Sequence, residues 1–394
     1  MTGKSKLMFY CQHVLGMGHF IRSMEIVRGL ADFDIYFFNG GEIVPGFYPP
    51  PSIEIINLPP IKSDAEFSGL HAADAAQSLD EIKAIRKRLI LSEYERIKPD
   101  VVVIELFPFG RKKFDFELMP LLERCRADNR VKVACSLRDI LVGKRDQRKF
   151  EERVCRTANQ YFDLLLIHSD PRFQRLEESF SMAGELECQV CYTGFVAQTA
   201  AETGPAKNDE WTIAGDEKRI LVSIGGGRVG SELIECAIEA SRLLKERLPH
   251  QMLAFAGPYM PDDEFQRLQG KLAAESRFEL RRYTTEFTSY LSRADLSISM
   301  AGYNTCMNII AAGVRAVVYP FTGNGNDEQT LRAMKLNKLG LVNVIHADEL
   351  NPANLAEKIF MTIGKPKPSP AQLDLNGVRN TAEALKALVD KDNG

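Results

Sequence analysis

The sequence contains no stretch of about 18 consecutive apolar residues, the length that a membrane-spanning helix requires. Its first residues also lack the long apolar core and the small-residue cleavage site of a secretory signal. The formal net charge is only −3, because 50 lysines and arginines stand against 53 aspartates and glutamates. We therefore expect a cytoplasmic protein, in peripheral contact with the inner face of a membrane at most, and no nucleic-acid partner.

Cysteine patterns typical of metal sites are also incomplete. The eight cysteines are scattered, and several of them, such as Cys11 and Cys135, lie in apolar runs, as expected for reduced and buried thiols. Cys188 and Cys191 form one C-x-x-C pair, but no second pair completes a zinc site. We therefore expect a structural role for this pair and no bound metal.

Short apolar runs alternate with segments of helical periodicity along the whole chain, which predicts an α/β fold with parallel sheets. A length of 394 residues favours two domains. We place a Rossmann-like domain at residues 1–198, a polar linker at 199–217 and a second such domain at 218–365. A helical tail at 366–394 then follows a proline-rich break and packs back on one of the two domains.

The motif G-M-G-H-F-I-R, at residues 16–22, stands between the first predicted strand and the first predicted helix. Gly16 and Gly18 permit a tight turn, and His19 follows at the helix start, on the carboxyl edge of the sheet. A neutral imidazole there can take a proton from an attacking hydroxyl, and the helix dipole favours its neutral form. Simple capping or packing of the helix is the alternative. The motif is not a dinucleotide fingerprint, because Ile21 occupies the place of the last glycine.

Glu105 ends the apolar run VVVIE in the same half of the chain. A carboxylate at the carboxyl end of a strand can orient His19 and stabilise its protonated form. An ion-paired carboxylate without a catalytic role is the alternative. Residues 138–139 (Arg-Asp) and 168–170 (His-Ser-Asp) end two further predicted strands and are candidates for the lining of an acceptor site.

Three glycines follow the first predicted strand of the second half, in the motif S-I-G-G-G-R-V-G at residues 223–230. The run Gly225–Gly227 indicates close approach of the backbone to a ligand, for which a diphosphate is the natural candidate. Arg228 offers a charged contact to the same group. A plain strand–helix turn with tightly packed glycines is the alternative. No Lys-Ser or Lys-Thr follows, so this is not a Walker P-loop.

Residues 294–329 predict a strand–helix–strand unit with two polar loops at the carboxyl ends of its strands. Gly302 precedes the helix, whose first-turn amides form a ready site for phosphate. In the second loop, Asp327, Glu328 and Gln329 offer hydrogen bonds to sugar hydroxyls. A solvated loop with a helix cap at Asp327 is the alternative.

Two basic segments, residues 86–88 (RKR) and 111–114 (RKKF), allow contact with a membrane or with an anionic acceptor. A solvated face is the commoner explanation for such segments.

Together these motifs resemble the glycosyltransferases of the GT-B fold, and among them family 28, whose members include the bacterial enzyme that makes lipid II. The likeness rests on GMGH in the first half and on SIGGG, MAGYNT, AAGVRAVVYPF and DEQ in the second. It implies an α/β protein with two Rossmann-like doubly wound domains facing a central cleft. It also implies inverting, metal-independent hexosyl transfer from a nucleotide sugar, usually UDP-linked, to a small-molecule, glycan or lipid-linked acceptor, with no cofactor.

The resemblance assigns the donor mainly to the second domain. No DxD-like metal motif is present, so the helix dipole and Arg228 are left to stabilise the leaving diphosphate. Where such proteins often carry a glutamate that binds the ribose hydroxyls, this chain has Asn308, which can bond a diol without charge assistance. The matching residues are Gly225, Gly226 and Gly227 for the donor loop, Gly302, Asn304 and Thr305 for the pyrophosphate-binding helix start, and Asp327 and Gln329 for the donor sugar. Tyr303, in the same helix start, is a further donor-binding candidate.

Two alternatives stay open on the same motifs. The pattern G-x-G-H-x-x-R also resembles UDP-sugar hydrolases of nonulosonic-acid synthesis, in which the same histidine would activate water. A catalytically silent nucleotide-sugar-binding subunit that recruits a membrane partner is the other alternative. The complete GMGH motif favours an enzyme.

Overall fold

The computed structural model describes residues 4–13, 17–44, 49–63, 69–72, 78–198, 211, 215–272, 277–323, 327–369 and 372–390. The chain forms two compact units, the first made of residues 1–196 with 373–394 and the second of residues 197–372. Each unit contains a parallel sheet whose strands alternate with helices, which confirms the predicted α/β class with two Rossmann-like domains. Most of the predicted linker at 199–217 lies outside the described residues, apart from Trp211 and residues 215–217.

The first unit is built around one parallel sheet. Its elements before residue 196 are β1 (Ser5–Cys11), α1 (Gly18–Arg28), β2 (Phe33–Asn39), β3 (Ile53–Asn57), β4 (Ile61–Ser63), β5 (Leu70–Ala72), α2 (Leu79–Ile97), β6 (Val101–Glu105), α3 (Asp115–Ala127), β7 (Lys132–Arg138), α4 (Gln147–Tyr161), β8 (Leu164–His168) and β9 (Gln189–Tyr192). The sheet has the order β3-β2-β1-β6-β7-β8-β9, and β4 pairs with β5 in a separate antiparallel ribbon.

The central strands of this sheet are buried on both faces, which is why they read as unbroken apolar runs. Strand β1 is buried from residue 7 to its end, and β6 is buried at every position, including Glu105. Because the strands are parallel, their carboxyl ends lie at one edge of the sheet. Helix α1 begins shortly after β1, so His19 lies at the edge of the sheet where Glu105 ends β6.

Arg86 corrects the prediction of a basic surface at residues 86–88. Its side chain is fully buried and forms a two-point ion pair with the buried Glu117 of α3, with Nε–Oε2 and Nη2–Oε1 distances of 2.8 and 2.6 Å. Lys87 and Arg88 are exposed. The helical period of α2 explains the difference, because it turns one residue of the three toward the core.

The C-terminal helix, α11 (Gly377–Asp390), belongs to the first unit. The segment before it is fixed by backbone hydrogen bonds, because the amide of Phe195 donates to the carbonyl oxygen of Asp374 at 2.7 Å. The amide of Asp374 in turn donates to the buried carboxylate of Asp170 at 3.0 Å. The helix in the predicted tail at 366–394 thus packs on the first unit.

The second unit repeats the strand–loop–helix plan. Its elements are β10 (Lys218–Ser223), α5 (Ser231–Leu244), β11 (His250–Phe255), α6 (Asp262–Lys271), β12 (Phe278–Arg281), α7 (Phe287–Arg293), β13 (Leu296–Met300), α8 (Tyr303–Ala312), β14 (Arg315–Tyr319), α9 (Glu328–Lys338), β15 (Asn343–Val344) and α10 (Pro352–Ile363). The parallel sheet has the order β12-β11-β10-β13-β14-β15. Strands β10, β13 and β14 are therefore neighbours, and the three predicted donor loops follow their carboxyl ends at one edge.

Candidate functional site

The side chains of His19 and Glu105 are in contact at the carboxyl edge of the first unit. Nδ1 of His19 lies 2.6 Å from Oε1 of Glu105, which is a hydrogen bond. Glu105 is fully buried, whereas 21% of the His19 side chain is exposed. The structure thus brings together the two residues predicted to act as a base and its orienting carboxylate.

Two arginines also contact Glu105. Nη2 of Arg22, on α1, donates to Oε1 at 2.5 Å, and Nη2 of Arg111 lies 3.5 Å from Oε2. Burial alone would raise the pKa of Glu105, but His19, Arg111 and Arg22 together hold that pKa well below its usual range. Glu105 is therefore ionised at neutral pH.

The imidazole of His19 is neutral under the same conditions. Burial lowers the pKa of His19 to about 3, against the attraction of Glu105, and the positive charges of Arg111 and Arg138 act in the same direction as burial. A carboxylate accepts but cannot donate, so Nδ1 of the neutral ring carries the proton and donates it to Glu105. The lone pair then resides on Nε2, where it can accept a proton from a substrate.

The backbone beside Glu105 is held in an unusual conformation. Leu106 and Arg111 have φ angles of 67° and 59°, in the left-handed region that residues with a side chain seldom adopt. Each such residue costs roughly 1 kcal/mol or more, and such strain is concentrated at functional sites.

The two glycines of the predicted turn before His19 are described only in part. Gly18 is the first residue of α1, and Gly16 lies outside the described residues.

The polar residues at the end of β8 form hydrogen bonds inside the unit. Nε2 of His168 contacts Oγ of Ser136 at 2.8 Å, and its Nδ1 contacts Oγ1 of Thr193 at 2.9 Å, with all three side chains buried. Ser169 and Asp170 are buried too, and Asp170 fixes the segment before α11. These groups are engaged within the unit, which argues against their predicted place in an acceptor site. At the end of β7, Asp139 is buried as well, and Arg138 is half-buried.

A polar cluster beyond β1, β2 and β3 escaped the sequence analysis. Nε2 of His13 contacts Oδ1 of Asn39 at 3.0 Å, and Nδ2 of Asn39 donates to Oδ1 of Asn57 at 3.0 Å. The signal was present, because each of these residues stands at or just after the end of a strand. His13 and Asn39 are buried and Asn57 is exposed, so only Asn57 of this cluster presents its side chain at the surface of that edge.

The glycine loop of the second unit is partly explained by packing. A Cβ atom on Gly227 would lie 2.3 Å from the carbonyl oxygen of Ala256, and the amide of Tyr259 donates to the carbonyl oxygen of Gly226 at 2.9 Å. The guanidinium of Arg228 stacks over the Tyr259 ring at 5.2 Å. This loop thus packs against the segment that follows β11.

Gly226 and Gly302 differ from Gly227, because the fold does not require a glycine at either position. A Cβ atom on Gly226 would meet only Cδ2 of Tyr259, at 3.7 Å, and one on Gly302 would meet nothing within 4 Å. Neither residue has a positive φ angle. Gly302 is the N-cap of α8, whose first turn contains Tyr303, Asn304 and Thr305. Open space beside backbone amides at a helix start suits an anionic ligand.

Arg332 connects α9 to the turn before α8. Its fully buried guanidinium donates to the carbonyl oxygen of Ala301 at 3.1 Å and to Oε1 of Glu328 at 2.6 Å, and it lies 5.6 Å from the centre of the Tyr303 ring. The sequence offered one signal for this pair, namely the spacing of four residues between Glu328 and Arg332 on a helix. Glu328 is thus ion-paired with Arg332, and its contact with the donor sugar stays a prediction.

Three other predicted donor residues differ in how they are engaged. Asn308 is buried and exchanges two hydrogen bonds of 2.9 Å with Gln198, through both ends of its amide. Oε1 of Gln329 accepts from the amide of Phe321 at 3.1 Å. Asp327 is exposed and its carboxylate makes no capping hydrogen bond to α9.

Two features are absent from the part of the chain that the structure describes. No group of three or more His, Cys, Asp or Glu side chains is arranged to hold a metal ion. No helix there has both the length and the apolar character needed to cross a membrane. Metal independence and the lack of a cofactor stay predictions.

A family model and several curated relatives each match part of the chain. Residues 221–385 match the family model described as the glycosyltransferase family 28 C-terminal domain. Two relatives, from Caldanaerobacter subterraneus subsp. tengcongensis and Synechococcus sp., are named UDP-N-acetylglucosamine--N-acetylmuramyl-(pentapeptide) pyrophosphoryl-undecaprenol N-acetylglucosamine transferase. They are 27% and 29% identical over 169 and 163 residues, which are 43% and 41% of this chain and 44% and 42% of theirs. The similarity therefore spans less than half the length of each relative.

Solved structures match the whole chain. The calicheamicin glycosyltransferase CalG4 and MurG of Acinetobacter baumannii have TM-scores of 0.59 and 0.56 at 16% identity. These matches cover 100% and 98% of this chain and 98% and 99% of theirs. A Medicago truncatula protein crystallised with UDP-glucose has a TM-score of 0.61 at 12% identity, with 99% of each chain covered. Residues 221–385 are therefore similar to the C-terminal domain of glycosyltransferase family 28, and the chain has the fold of GT-B glycosyltransferases.

Proposed function

We propose that this protein is an inverting glycosyltransferase that moves a sugar from a nucleotide donor, UDP-linked in the simplest case, to an acceptor hydroxyl. The acceptor hydroxyl gives its proton to Nε2 of His19 while its oxygen attacks the anomeric carbon of the sugar. The bond from that carbon to the diphosphate oxygen breaks, and the nucleoside diphosphate leaves with the bonding electrons. One attack from the face opposite the leaving group inverts the anomeric centre.

The hydrogen bond between His19 and Glu105 is the observation that carries this proposal. A neutral imidazole with its lone pair on Nε2 is a competent base, and the buried carboxylate stabilises the imidazolium that forms. A positioned general base of this kind contributes about 10²- to 10⁴-fold to a rate. Residues 221–385 of the same chain match the family 28 C-terminal domain, which supports transferase chemistry for this pair.

The second unit supplies the donor side of the proposal. Amides beside Gly226 and Gly302, the start of α8 and the cation of Arg228 are suited to the negative charge that develops on the leaving diphosphate. Asp327, exposed at the start of α9, is the carboxylate available to the donor sugar. The names of the curated relatives contain UDP-N-acetylglucosamine, which supports a uridine nucleotide.

The acceptor remains open to experiment among small molecules, glycans and lipid-linked sugars. The relatives' names specify a pyrophosphoryl-undecaprenol acceptor, which supports a lipid-linked substrate and peripheral contact with a membrane. Hydrolysis of a UDP-sugar stays an alternative on the same geometry, because Nε2 of His19 would activate water in the same way. The product, a glycoside or a free sugar, decides between the two.

The test is incubation with a panel of nucleotide sugars, with and without candidate acceptors, followed by chromatography of the nucleotide and the sugar products. We expect acceptor-dependent release of UDP and a new glycoside. His19→Ala should lower kcat by about 10²- to 10⁴-fold. It should leave UDP affinity unchanged, because the proposed nucleotide site lies in the second unit. His71→Ala, in the exposed part of β5, is the matched control.

Each other outcome has a definite meaning. Free sugar at the full rate without an acceptor would identify a hydrolase. Full turnover by His19→Ala would remove His19 from the mechanism. Failure of the wild-type protein to bind any nucleotide sugar would overturn the proposed function as a whole.

A further inference from the structure

We propose that Arg22 is a positioning residue, which fixes Glu105 so that His19 keeps its proton on Nδ1 and its lone pair on Nε2; this role rests on the proposed function of His19 as a base. Arg22 lies three positions after His19 in α1, so both side chains leave the same face of the helix. They reach the same oxygen of Glu105, at 2.5 and 2.6 Å.

The two arginines lie beside different oxygens of this carboxylate. Arg22, with 2% of its side chain exposed, holds Oε1, and Arg111, with 12% exposed, faces Oε2 at 3.5 Å. The charge-assisted hydrogen bond from Arg22 limits the rotation of the carboxylate, whereas Arg111 acts on Oε2 through its charge and not through a hydrogen bond. Glu105 therefore presents Oε1 to His19 in one orientation.

The charge of Glu105 decides which nitrogen of His19 carries the proton. As a carboxylate, Glu105 only accepts, so Nδ1 must be the protonated nitrogen. A protonated Glu105 would instead donate to Nδ1, and the single proton of the neutral ring would then sit on Nε2. That tautomer cannot accept a proton from a substrate. A buried carboxyl group without cationic partners tends toward the protonated form, which is the condition that Arg22 and Arg111 prevent.

The thiols and imidazoles near His19 and Glu105 do not supply the positive charge that keeps Glu105 ionised. Burial raises the pKa of the Cys11 and Cys135 thiols, so both are neutral at neutral pH. Burial lowers the pKa of His13 and of His168, so these rings are neutral as well. Arg138 acts on His19 from the end of β7. Among the described residues, Arg22 and Arg111 are thus the cations that contact Glu105.

The experiment is ¹⁵N NMR of the full-length protein with labelled histidines, because ring nitrogen shifts report the tautomer without any substrate. The sequence has six histidines, and His19→Ala identifies the signal of His19. The variants are Arg22→Met, which removes the charge, and Arg22→Lys, which keeps it. Arg28→Met is the matched control, because Arg28 also lies on α1 and pairs with a glutamate, Glu25, at 3.2 Å.

We expect the proton on Nδ1 of His19 in the wild-type protein and in the Arg28→Met control at neutral pH. Arg22→Met should populate the tautomer with the proton on Nε2, and Arg22→Lys should restore the first tautomer at least in part. In kinetic assays Arg22→Met should lower kcat by about 10²-fold, the effect of a misplaced base, with the KM of the donor unchanged. The acidic limb of its pH–rate profile should move to higher pH.

If Arg22→Met does not fold, Arg111→Met removes the second cation from a less buried position and should shift the tautomer in the same direction. A wild-type ring with its proton on Nε2 would overturn the proposal. So would a loss of stability in Arg22→Met with an unchanged tautomer and an unchanged pH profile, since Arg22 would then be merely structural. The expected tautomers in a protein without transferase activity would count against the proposed function alone.

Discussion

Gly226 and Gly227 are adjacent in the loop after β10, yet the fold requires a glycine at only one of them. A Cβ atom on Gly227, where φ is 89°, would lie 2.3 Å from the carbonyl oxygen of Ala256. A Cβ atom on Gly226 would meet only Tyr259, at an ordinary contact distance of 3.7 Å. Substitutions at the two positions therefore separate the binding of a nucleotide from the stability of the fold.

Gly226→Ala should weaken UDP binding at least tenfold, or about 1.4 kcal/mol, because the added methyl group occupies the space where a phosphate approaches the backbone. Its melting temperature should stay close to that of the wild-type protein. Gly227→Ala should instead lose about 2 kcal/mol or more of stability, through its left-handed backbone and the clash with Ala256. Calorimetric titration with UDP and thermal unfolding measure the two effects. Wild-type affinity in Gly226→Ala would argue against a diphosphate at this loop.

Removal of metal ions should leave the reaction unchanged. The proposed site stabilises the leaving diphosphate with the start of α8 and with Arg228, so no divalent cation is needed. We expect the same kcat and donor KM in excess EDTA as in excess magnesium. Arg228→Ala should lower kcat under both conditions. A loss of activity in EDTA that magnesium restores would contradict the proposed mechanism.

The pairing of His19 with Glu105 could be predicted because a parallel sheet brings the carboxyl ends of its strands to one edge. The sequence needed only to show that one residue follows β1 and the other ends β6. Arg22 was in the same motif, but its partner could not be chosen without the distance between α1 and β6. The spacing of strands thus predicts which residues share an edge and not which atoms meet.

Contacts between distant segments were beyond prediction for a related reason. The contact of Asn308 with ribose stays a prediction, but its two hydrogen bonds with Gln198, 110 positions earlier in the chain, were not visible in the sequence. Arg86 was assigned to a basic surface, because an arginine on the buried face of a helix needs a buried partner, and the contact with Glu117 on α3 is not visible in the local sequence. Both cases depend on tertiary packing, which local periodicity does not encode.

Acid should destabilise the protein over a defined range of pH. Burial lowers the pKa of His168 to about 3, and Arg22 adds to this effect, whereas an unfolded histidine titrates near 6.5. Between these values the unfolded state binds more protons, so the free energy of unfolding falls as the pH falls. His19 acts in the same direction. Glu105, whose pKa is depressed, adds a further loss below about pH 4.3, its unfolded value.

The expected slope is about 1.4 kcal/mol per pH unit for each histidine that is protonated only when unfolded. Urea denaturation between pH 7 and pH 4 measures it. His168→Gln should give a shallower decline than the wild-type protein. His71→Gln, on the exposed ribbon, should reproduce the wild-type slope. Equal slopes in all three proteins would show that His168 is not buried in its neutral form.

Replacing only one partner of the buried ion pair between Arg86 and Glu117 should lower the stability of the protein far more than replacing both partners. Arg86→Leu leaves the fully buried carboxylate of Glu117 without its cation, which should lower stability by about 3–5 kcal/mol. Combining it with Glu117→Leu removes both charges, so the double variant should be more stable than Arg86→Leu alone. Arg88→Leu, on the exposed face of α2, should change stability by about 0.5 kcal/mol or less. Urea denaturation of the wild-type protein, Arg86→Leu, the double variant and the Arg88→Leu control measures these differences. A double variant no more stable than Arg86→Leu would mean that hydrogen bonds from Arg86 to the neighbouring carbonyl oxygens of Gly40 and Pro59, and not the ion pair, hold α2 in place.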